Sequence, residues 1–291
     1  MRIILLFNPA AGRGSARRKL ALAVEVLRRG GVEPEIRDSR STEHLRELAR
    51  QARAEQPDVV VSAGGDGTHH HVINELHGGE VPLGIIPLGT GNDIPLGLGI
   101  PSDPRRAAAT LLRGQTKRID LGRVGLEVFA AVGGAGLDSM AARYVNERAQ
   151  NLRGSLAYVW AILRCLKDYR PLPLEVQAEG FSFSGNVIAV LVGNHAFYGG
   201  GFRVTPRARS DDGLLDVCLI PALSKWRLLP WIPRVYRGDH LAHPRIHYFQ
   251  TPRVTLSSPA QMDLYADGEF IQKLPAVIKA APRALHVVVP A

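Results

Sequence analysis

The sequence predicts an α/β N-terminal domain with a doubly wound, mainly parallel sheet, followed by a C-terminal β-sandwich domain with inserted helices. Up to about residue 120, strand-length apolar runs alternate with segments of helical spacing. After that point short β-rich runs dominate. The chain has 291 residues, 45% of them hydrophobic, which is enough for two ordinary domains. We therefore expect an α/β domain at 1–122 and a β-rich domain at 123–291.

The N-terminal half repeats one strand, loop and helix pattern. The first apolar run ends at Asn8-Pro9, and Leu20, Val24 and Leu27 then recur at helical spacing. The run 58–63 is apolar throughout, as expected of a parallel strand that is buried on both faces. The predicted strands are 2–7, 35–37, 58–63 and 83–87, and the predicted helices are 17–29, 41–54, 68–76 and 105–113.

The C-terminal half is predicted to be mostly antiparallel. Helical segments are expected at about 140–166 and 225–237. The predicted strands are 129–132, 174–177, 181–192, 214–220, 253–257, 262–265 and 284–289.

The composition indicates an anionic partner. Lys and Arg total 36 against 27 for Asp and Glu, a formal charge of +9. Nucleotide phosphates and acidic lipid headgroups fit this charge, and its spread along the chain disfavours nucleic acid. Two apolar-flanked cysteines, Cys165 and Cys218, indicate neither a disulfide framework nor a zinc site. The apolar run at the N-terminus is too short for a signal peptide or a membrane span, so we expect a cytoplasmic protein.

The most informative segment is the buried run 59–63 followed by Gly64-Gly65-Asp66-Gly67-Thr68. The glycines let the backbone approach a polyphosphate, and the following helix N-terminus presents unpaired N–H groups to it. Asp66 would hold Mg²⁺ against the phosphates. The alternative is a tight turn in which Asp-Gly only caps a helix.

Two further glycine-containing loops, 8–15 and 87–93, follow the first and fourth predicted strands. Each alone is equally compatible with an ordinary turn. In doubly wound folds ligands gather beyond the carboxyl ends of the strands, so all three loops are expected at one edge of the sheet.

Together these loops resemble those of the diacylglycerol kinase catalytic family, which includes soluble bacterial lipid kinases and the sphingosine and ceramide kinases. Nicotinamide dinucleotide kinases and phosphofructokinases share the Gly-Gly-Asp-Gly-Thr loop alone. The likeness covers nearly the whole chain and continues through Ile119-Asp120-Leu-Gly, Gly134-Ala-Gly-Leu-Asp138, Gly199-Gly-Gly-Phe202, Ser210-Asp-Asp-Gly-Leu-Leu-Asp216 and Asp267-Gly268-Glu269.

The resemblance implies an enzyme that uses ATP and Mg²⁺ to phosphorylate a lipid hydroxyl, with diacylglycerol as the expected substrate and phosphatidate as the product. It also implies a cleft between a nucleotide domain and a lipid domain. The ATP site would be lined by Asn8, Pro9, Ala10, Ala11, Gly12, Ser39, Gly64, Gly65, Asp66, Gly67, Thr68, His69, His70, His71, Thr90 and Asn92.

The same resemblance assigns the catalytic acids. Asp66, Asp93 and Asp120 would organise Mg²⁺ and the phosphates, since phosphoryl transfer depends mainly on positioning and charge neutralisation. Glu269 would be the general base that takes the proton from the lipid hydroxyl. The residues alone also fit a hairpin Asp-Gly turn followed by a solvent-facing Glu.

A second, structural Mg²⁺ site is implied at Arg209, Asp212 and Leu214. Asp212 would supply a carboxylate, and the other two residues would supply backbone carbonyls, which suits a hard cation. An ordinary β-turn explains the same residues equally well.

The sequence departs from the family pattern at His69-His70-His71, where an apolar residue, Asn and Glu commonly stand. Adjacent helical residues point in different directions, so the triplet favours a helix turn over a site for one metal ion. The departure keeps open a nucleotide- or lipid-binding regulator without catalysis. The shared loop keeps open a kinase for a soluble nucleotide or sugar phosphate.

Aromatic, aliphatic and basic residues mix in 225–237, around Trp226 and Trp231, as they do in membrane-surface segments. Packing of a helix on the sandwich explains the same residues. The expected partner is a lipid substrate at an anionic membrane surface, reached by peripheral contact with the inner face of the membrane, without nucleic acid. The sequence leaves a homodimer open.

Overall fold

The computed structural model describes residues 1–148, 154–224 and 229–291. Contacts divide them into two compact units, one formed by Met1–Ile119 with Arg283–Ala291 and the other by Asp120–Pro282. The sequence analysis assigned 283–291 to the C-terminal domain, whereas in the structure these residues belong to the first unit. Three valines of this segment, Val287, Val288 and Val289, are buried. The burial of these apolar side chains explains why the segment packs in the first unit.

The strands, numbered along the chain, are β1 (Ile3–Phe7), β2 (Glu35–Asp38), β3 (Val59–Gly64), β4 (Leu83–Pro87), β5 (Gln115–Val124), β6 (Glu127–Phe129), β7 (Val132–Gly136), β8 (Leu172–Ala178), β9 (Phe181–Gly193), β10 (Phe197–Tyr198), β11 (Phe202–Arg203), β12 (Leu215–Pro221), β13 (His247–Thr251), β14 (Arg253–Ser257), β15 (Asp263–Ala266), β16 (Glu269–Lys273) and β17 (Ala276–Val289). The α-helices are α1 (Ala16–Arg29), α2 (Thr42–Ala54), α3 (Asp66–Leu76), α4 (Asp93–Gly97), α5 (Pro104–Arg113), α6 (Leu137–Arg148), α7 (Gly154–Asp168) and α8 (Ile232–Arg237). Short 3₁₀ turns cover Ala11–Gly14, Leu229–Trp231 and Asp239–Ala242.

The first unit is built on a mainly parallel sheet with the strand order β2-β1-β3-β4-β17. Strand β1 lies parallel to β2 and β3, and β3 lies parallel to β4. The end of β17 joins β4 in parallel, with Val287 opposite Leu83. Every residue of β1 is buried, as the unbroken apolar run predicts for a strand covered on both faces.

Amphipathic helices cover this sheet. In α1 the buried residues include Leu20, Val24 and Leu27, one stripe at helical spacing. They share a core with side chains of β1 and with Leu111 of α5. Helices α2 and α3 pack together, and both contact β3. Helix α2 begins where the Ser41 side chain accepts the His44 N–H, which satisfies one orphan donor of the first turn.

The second unit contains an antiparallel, β-sandwich-like array with the strand order β16-β15-β7-β9-β8-β14-β17, while β12 pairs with β9 and with β13. Its core consists of inward-facing aliphatic residues from several strands, such as Val176, Val190 and Val217. Helices α6 and α7 pack against each other. The fold class therefore agrees with the prediction.

Several boundaries differ from the predicted ones. The expected strand 129–132 covers the last residue of β6, the two residues that follow and the first residue of β7. Strand β7 itself was missed, because Val132-Gly-Gly-Ala-Gly forms a buried strand although its glycines indicate a loop. The expected strand 284–289 begins at Ala276. The expected helix 140–166 becomes α6 and α7, and 149–153 lie outside the described residues. Of the expected helix 225–237, α8 is present; 225–228, with Trp226, lie outside the description.

Candidate active site

Three loops meet at one edge of the sheet in the first unit. The backbone N–H groups of Leu88 and Gly89 both donate to the Gly64 carbonyl, at 2.7 and 3.1 Å. The Asn8 N–H donates to the Ala63 carbonyl at 3.0 Å. The structure thus brings together the loops that follow β1, β3 and β4, as expected for the carboxyl edge of a parallel sheet.

Two glycines allow the close approach of these loops. Gly12 has φ +57°, and a Cβ built there would lie 2.3 Å from the Leu88 carbonyl oxygen. A Cβ at Gly89 would lie 2.7 Å from the Cα of Gly65. Any larger residue would push the loops apart, so both positions require glycine for a physical reason. The result is a glycine-walled cradle of backbone suited to polyphosphate.

Asn8 connects two of the loops through its side chain. Its Nδ2 donates to Thr68 Oγ1 at 3.0 Å, and its Oδ1 accepts the Ala10 N–H at 3.0 Å. Thr68 lies in the first turn of α3 and is only 5% exposed. Asn8 therefore fixes the conformation of 8–10 against the start of α3. Pro9 and Ala11 belong to the same loop, and Ala11 begins the 3₁₀ turn.

Carboxylate oxygens of Asp66 and Asp93 both lie near Gly91. Asp66 begins α3, and its Oδ1 accepts the Ile94 N–H in α4 at 3.0 Å. A Cβ built on Gly91 would lie 2.9 Å from Asp66 Oδ2 and 3.9 Å from Asp93 Oδ2. Two carboxylate oxygens next to a glycine-walled loop make an anionic point that a divalent cation would neutralise.

Asn92 shapes the loop that carries Asp93. It adopts the left-handed conformation, with φ 60° and ψ 42°, at the N-cap of α4. Its Nδ2 donates to the Gly89 carbonyl at 3.4 Å. Asn tolerates this conformation better than most residues because its short polar side chain bonds locally. Thr90, in the same loop, is exposed.

Lys19 was not identified from the sequence. It lies in α1, and its Nζ donates to the carbonyls of Leu88 and Gly89, at 3.3 and 3.5 Å. The half-buried ammonium is thus held against the β4–α4 loop. A basic residue one helical turn inside α1 was the available signal, but many helices carry such a residue on a solvated face.

Ser39 lies after β2 and is anchored to β1. Its N–H and its Oγ both donate to the Phe7 carbonyl, at 2.8 and 3.1 Å. Because Phe7 immediately precedes Asn8, Ser39 stands beside the first loop of the predicted nucleotide site.

The histidine triplet occupies the first turns of α3, as predicted. His69 is fully buried, and its Nδ1 lies 2.8 Å from Ser62 Oγ. Burial lowers the pKa of His69 to about 3, so the ring is neutral. His70 bonds Asn74, and its ring meets that of His71 edge to face at 5.3 Å. The three rings have different surroundings, which does not correspond to one shared ion.

In the second unit Glu269 follows a rigid turn. Asp267 and Gly268 have φ values of 52° and 87° and join β15 to β16 as a two-residue hairpin turn. The carboxylate of Asp267 accepts the N–H groups of Ala130 and Ala131, at 2.9 and 2.8 Å. This buried clamp fixes the turn, and Glu269 emerges from it half-buried.

Asp120 lies in β5, at the start of the second unit, and bonds the loop of the predicted structural metal site. Its Oδ2 accepts the Gly213 N–H at 2.7 Å, and its own N–H donates to the Ser210 carbonyl at 2.7 Å. The sequence analysis grouped Asp120 with Asp66 and Asp93, which lie in the first unit. Through these hydrogen bonds Asp120 holds Ser210 and Gly213 of the loop, a contact that the sequence did not reveal.

The loop around Asp212 concentrates negative charge. Asp212 Oδ1 accepts the Leu214 N–H at 3.0 Å, and Gln250 Nε2 donates to Asp212 and to Asp216, at 3.4 and 3.1 Å. Burial, with a smaller contribution from the Asp212 charge, raises the pKa of Asp216. The described residues contain no group of three or more His, Cys, Asp or Glu side chains placed to hold a metal, so a cation here would need backbone carbonyls. Arg209 and Leu214 are the predicted carbonyl donors.

The glycine cradle, the paired carboxylates and the helix N-terminus define the class of protein as a phosphotransferase. Residues 2–124 match the diacylglycerol kinase catalytic domain family, and 131–289 match the YegS C-terminal NAD kinase beta sandwich-like domain. The chain belongs to the diacylglycerol kinase family and is a kinase with an alcohol group as acceptor.

Curated relatives span the whole chain. A protein named diacylglycerol kinase from Mycobacterium tuberculosis (strain ATCC 25618 / H37Rv) is 35% identical, over 99% of this chain and 95% of the relative. One of the same name from Bacillus subtilis (strain 168) is 29% identical, over 98% and 95%.

Solved structures share the fold. A crystal structure described as a diacylglycerol kinase from Bacillus anthracis str. Sterne aligns with a TM-score of 0.78 at 20% identity, over 99% of this chain and 96% of that one. Another structure from the same organism gives a TM-score of 0.83 at 22% identity with the same coverage. Within the described parts of the chain, no helix is both long enough and apolar enough to cross a membrane.

Proposed function

We propose that this protein transfers the γ-phosphoryl group of ATP to the free hydroxyl of diacylglycerol and so forms phosphatidate. The observation that carries the proposal is the position of Asp66 Oδ2 and Asp93 Oδ2, which lie 2.9 and 3.9 Å from the Cβ position of Gly91, within loops that only glycine allows to approach so closely. Phosphoryl transfer requires this kind of positioned charge and little covalent chemistry from the protein. The names of the curated relatives favour diacylglycerol as acceptor.

The loop residues around the cradle would hold the nucleotide. The residues 8–12 and 64–68 would contact its phosphates through backbone N–H groups, and α3 begins at the same place. Asn92 and Thr90 would border the site from the third loop, and Ser39 would border it from β2. His71 is the half-buried member of the triplet and the one most accessible to a nucleotide.

Magnesium would neutralise charge on the phosphates when bound. The donors fit a hard cation, because Asp66 and Asp93 supply carboxylate oxygens beside the same glycine. The Arg209–Asp212–Leu214 loop fits a second Mg²⁺ in a structural role, since Asp212 is an exposed carboxylate within a cluster of acids. Asp120 would stabilise that loop by accepting the Gly213 N–H, in addition to the role at the phosphates that the sequence analysis gave it.

Glu269 is the proposed general base. A base must be held in a defined orientation, and the clamp formed by Asp267 on Ala130 and Ala131 fixes the turn from which Glu269 emerges. Glu269 would take the proton from the lipid hydroxyl as the oxygen attacks phosphorus.

We also propose peripheral contact with an anionic membrane at the cytoplasmic face. A charge of +9 favours such a surface. The proposed contact face is on α7, where Leu156, Trp160 and Leu163 are exposed by 71%, 53% and 40% at spacings of four and three residues. The exposed Lys167 continues the same side of the helix. This face is a better candidate than the surroundings of Trp231, which is half-buried.

The test is an assay with radiolabelled ATP over acceptors in mixed micelles: diacylglycerol, monoacylglycerol, sphingosine and phosphatidylglycerol, with soluble sugar phosphates and nicotinamide dinucleotide alongside. We expect diacylglycerol to give the highest kcat/KM and EDTA to abolish transfer. Asp66→Asn serves as the inactive variant and Asp168→Asn, an exposed acid on α7, as its matched control. Preferential transfer to a soluble acceptor would replace the lipid kinase proposal.

A further inference from the structure

Lys19 holds two consecutive carbonyls of the loop that follows β4. Its Nζ donates to the Leu88 carbonyl at 3.3 Å and to the Gly89 carbonyl at 3.5 Å. The backbone N–H groups of the same two residues point elsewhere, because both donate to the Gly64 carbonyl. The segment is therefore held on one side by an ammonium group from α1 and on the other side by the end of β3.

Helix α1 places Lys19 beside its buried stripe. Ala16 precedes Lys19 by three residues and Ala23 follows it by four, and both alanines are fully buried. Their small side chains leave room for the aliphatic stem of the lysine, which packs while the ammonium group reaches polar atoms. An apolar side chain would pack at this position equally well. The two carbonyls, and not the packing of the helix, therefore account for a positive charge here.

The Gly89 carbonyl also fixes the direction of the next N–H group. The peptide bond from Gly89 to Thr90 is trans, and in a trans peptide the carbonyl and the following N–H point in opposite directions. Because the Gly89 carbonyl is directed at Lys19, the Thr90 N–H points away from α1. Thr90 is exposed, and its N–H has no hydrogen-bond partner among the described residues.

This peptide needs a restraint because glycine precedes it. Gly89 is required for the close approach to Gly65, but glycine also lets the backbone rotate with little steric resistance. Rotation of the 89–90 peptide by half a turn would exchange the positions of its N–H and its carbonyl oxygen. The N–H attracts an anion, whereas the carbonyl oxygen repels one. An ammonium group on the carbonyl side favours the orientation that attracts an anion.

We propose that Lys19 is a positioning residue for nucleotide binding: its ammonium group holds the 89–90 peptide in the orientation in which the Thr90 N–H donates to a phosphate oxygen of ATP. The inference rests on the proposed function, since it takes ATP to be the phosphoryl donor. Lys19 acts through the Gly89 carbonyl and requires no contact with the phosphate. Asn92 Nδ2 donates to the same carbonyl at 3.4 Å, but a neutral donor makes a weaker hydrogen bond than an ammonium group.

The direct test observes the Thr90 amide by NMR. The protein is labelled with ¹⁵N-threonine, and Thr90→Ser identifies the Thr90 resonance by its disappearance. Titration with ATP and MgCl₂, without lipid, should shift the Thr90 amide proton of the wild type downfield, as a hydrogen bond to phosphate does. Lys19→Met should lose most of this shift. Arg18→Met is the matched control, because it removes the same charge from the exposed neighbouring position of α1 and should shift like the wild type.

Calorimetry measures the consequence for affinity. Lys19→Met should weaken ATP binding about tenfold, because one charge-assisted hydrogen bond no longer orients the donor, whereas Arg18→Met should bind within about twofold of the wild type. Lys19→Arg restores a charged donor and should recover the affinity to within about threefold. The KM for diacylglycerol should be equal in all of these proteins. If Lys19→Met did not fold, the wild-type titration and Lys19→Arg would still decide the question.

Three results overturn the proposal: a Thr90 amide that ATP does not shift, a Thr90 shift that Lys19→Met retains in full, or equal ATP affinity in Lys19→Met and Arg18→Met. The proposed function fails separately. Binding of ATP that depends on Lys19, in a protein that phosphorylates no lipid, would leave Lys19 in this role and remove diacylglycerol as acceptor. Phosphorylation of diacylglycerol by a protein whose Thr90 amide does not respond to ATP would do the reverse.

Discussion

Asp66 and Ile94 are joined by a hydrogen bond of 3.0 Å from the Ile94 backbone N–H to Asp66 Oδ1. The bond links the first turn of α3 to the first turn of α4, so one carboxylate organises two of the three loops. Its second oxygen, Oδ2, lies beside Gly91. A single side chain thus links two loops and also places an oxygen at the predicted magnesium position.

Asp66→Asn should separate these roles. The amide oxygen can still accept the Ile94 N–H, so we expect a loss of stability of at most about 1 kcal/mol. Loss of the negative charge should lower kcat at least about a hundredfold, because charge on the phosphates is no longer neutralised. Steady-state kinetics and urea denaturation measure the two effects. A folded variant with near-normal turnover would remove Asp66 from the chemistry.

Glu269→Gln should reduce lipid phosphorylation by about two to four orders of magnitude, since glutamine keeps the size of the side chain but cannot accept the substrate proton. ATP affinity, measured by calorimetry, should stay nearly unchanged. Glu127→Gln, at a half-buried position at the start of β6, is a matched control and should keep its activity. If the Glu269 variant retained most of its activity, the base would lie elsewhere.

His69 should make the fold sensitive to acid. In the unfolded chain His69 takes up a proton near pH 6.5, whereas in the folded protein its pKa is about 3. Stability is therefore lost as pH falls from 6.5 towards 3, at about 1.4 kcal/mol per pH unit. Between pH 7 and 4.5 the wild type should lose about 2–3 kcal/mol more than His69→Leu in urea denaturation. Parallel losses in both proteins would show that His69 is not the cause.

Asp138 should make the stability of the fold fall as pH rises, which is opposite to the effect of His69. Unfolded Asp138 ionises near pH 3.8, but the folded protein keeps its proton to about pH 7. Rising pH across that window favours the unfolded chain. The stability of Asp138→Asn relative to wild type should therefore increase by about 3–5 kcal/mol between pH 4 and pH 8. An unchanged difference across that range would mean that the carboxyl group is already ionised at acid pH.

The exposed face of α7 should govern membrane binding. Trp160→Ser should weaken binding to vesicles with phosphatidylserine about tenfold or more, because a large side chain no longer enters the lipid. Leu126→Ser is the matched control, since Leu126 is 95% exposed in the turn between β5 and β6. Added salt should weaken binding of all three proteins by screening the charge attraction. Equal sedimentation of both variants with vesicles would exclude α7 as the contact face.

Local patterns carried the prediction of the nucleotide loops. The apolar run 59–63 and the glycines after it lie next to each other in the chain, so strand, loop and helix start can be read together. The fold class followed from the same alternation. Strands such as β7 were misplaced because their glycines are typical of loops, and only the neighbouring strands reveal why small residues are needed there.

Residues that act across long sequence separations could not be predicted in this way. Asp267 bonds Ala131 at a separation of 136 residues, Asp120 bonds Gly213 at 93 and Lys19 bonds Leu88 at 69. No periodicity connects such pairs. The buried oxygen of Asp138 without a hydrogen-bond partner, Oδ2, could not be predicted either. Its surroundings exist only once the strands and helices of the second unit have packed together.

The return of Arg283–Ala291 to the first unit affects how the protein is made. On the ribosome, Met1–Ile119 emerge long before the strand that completes their sheet. Until the C-terminal segment is synthesised, the edge of β4 lacks the partner that Val287 supplies opposite Leu83. An open edge strand recruits other chains. Residues 1–119 therefore complete their sheet only after 283–291 have been synthesised, and the β4 edge is open to pairing with other chains during that interval.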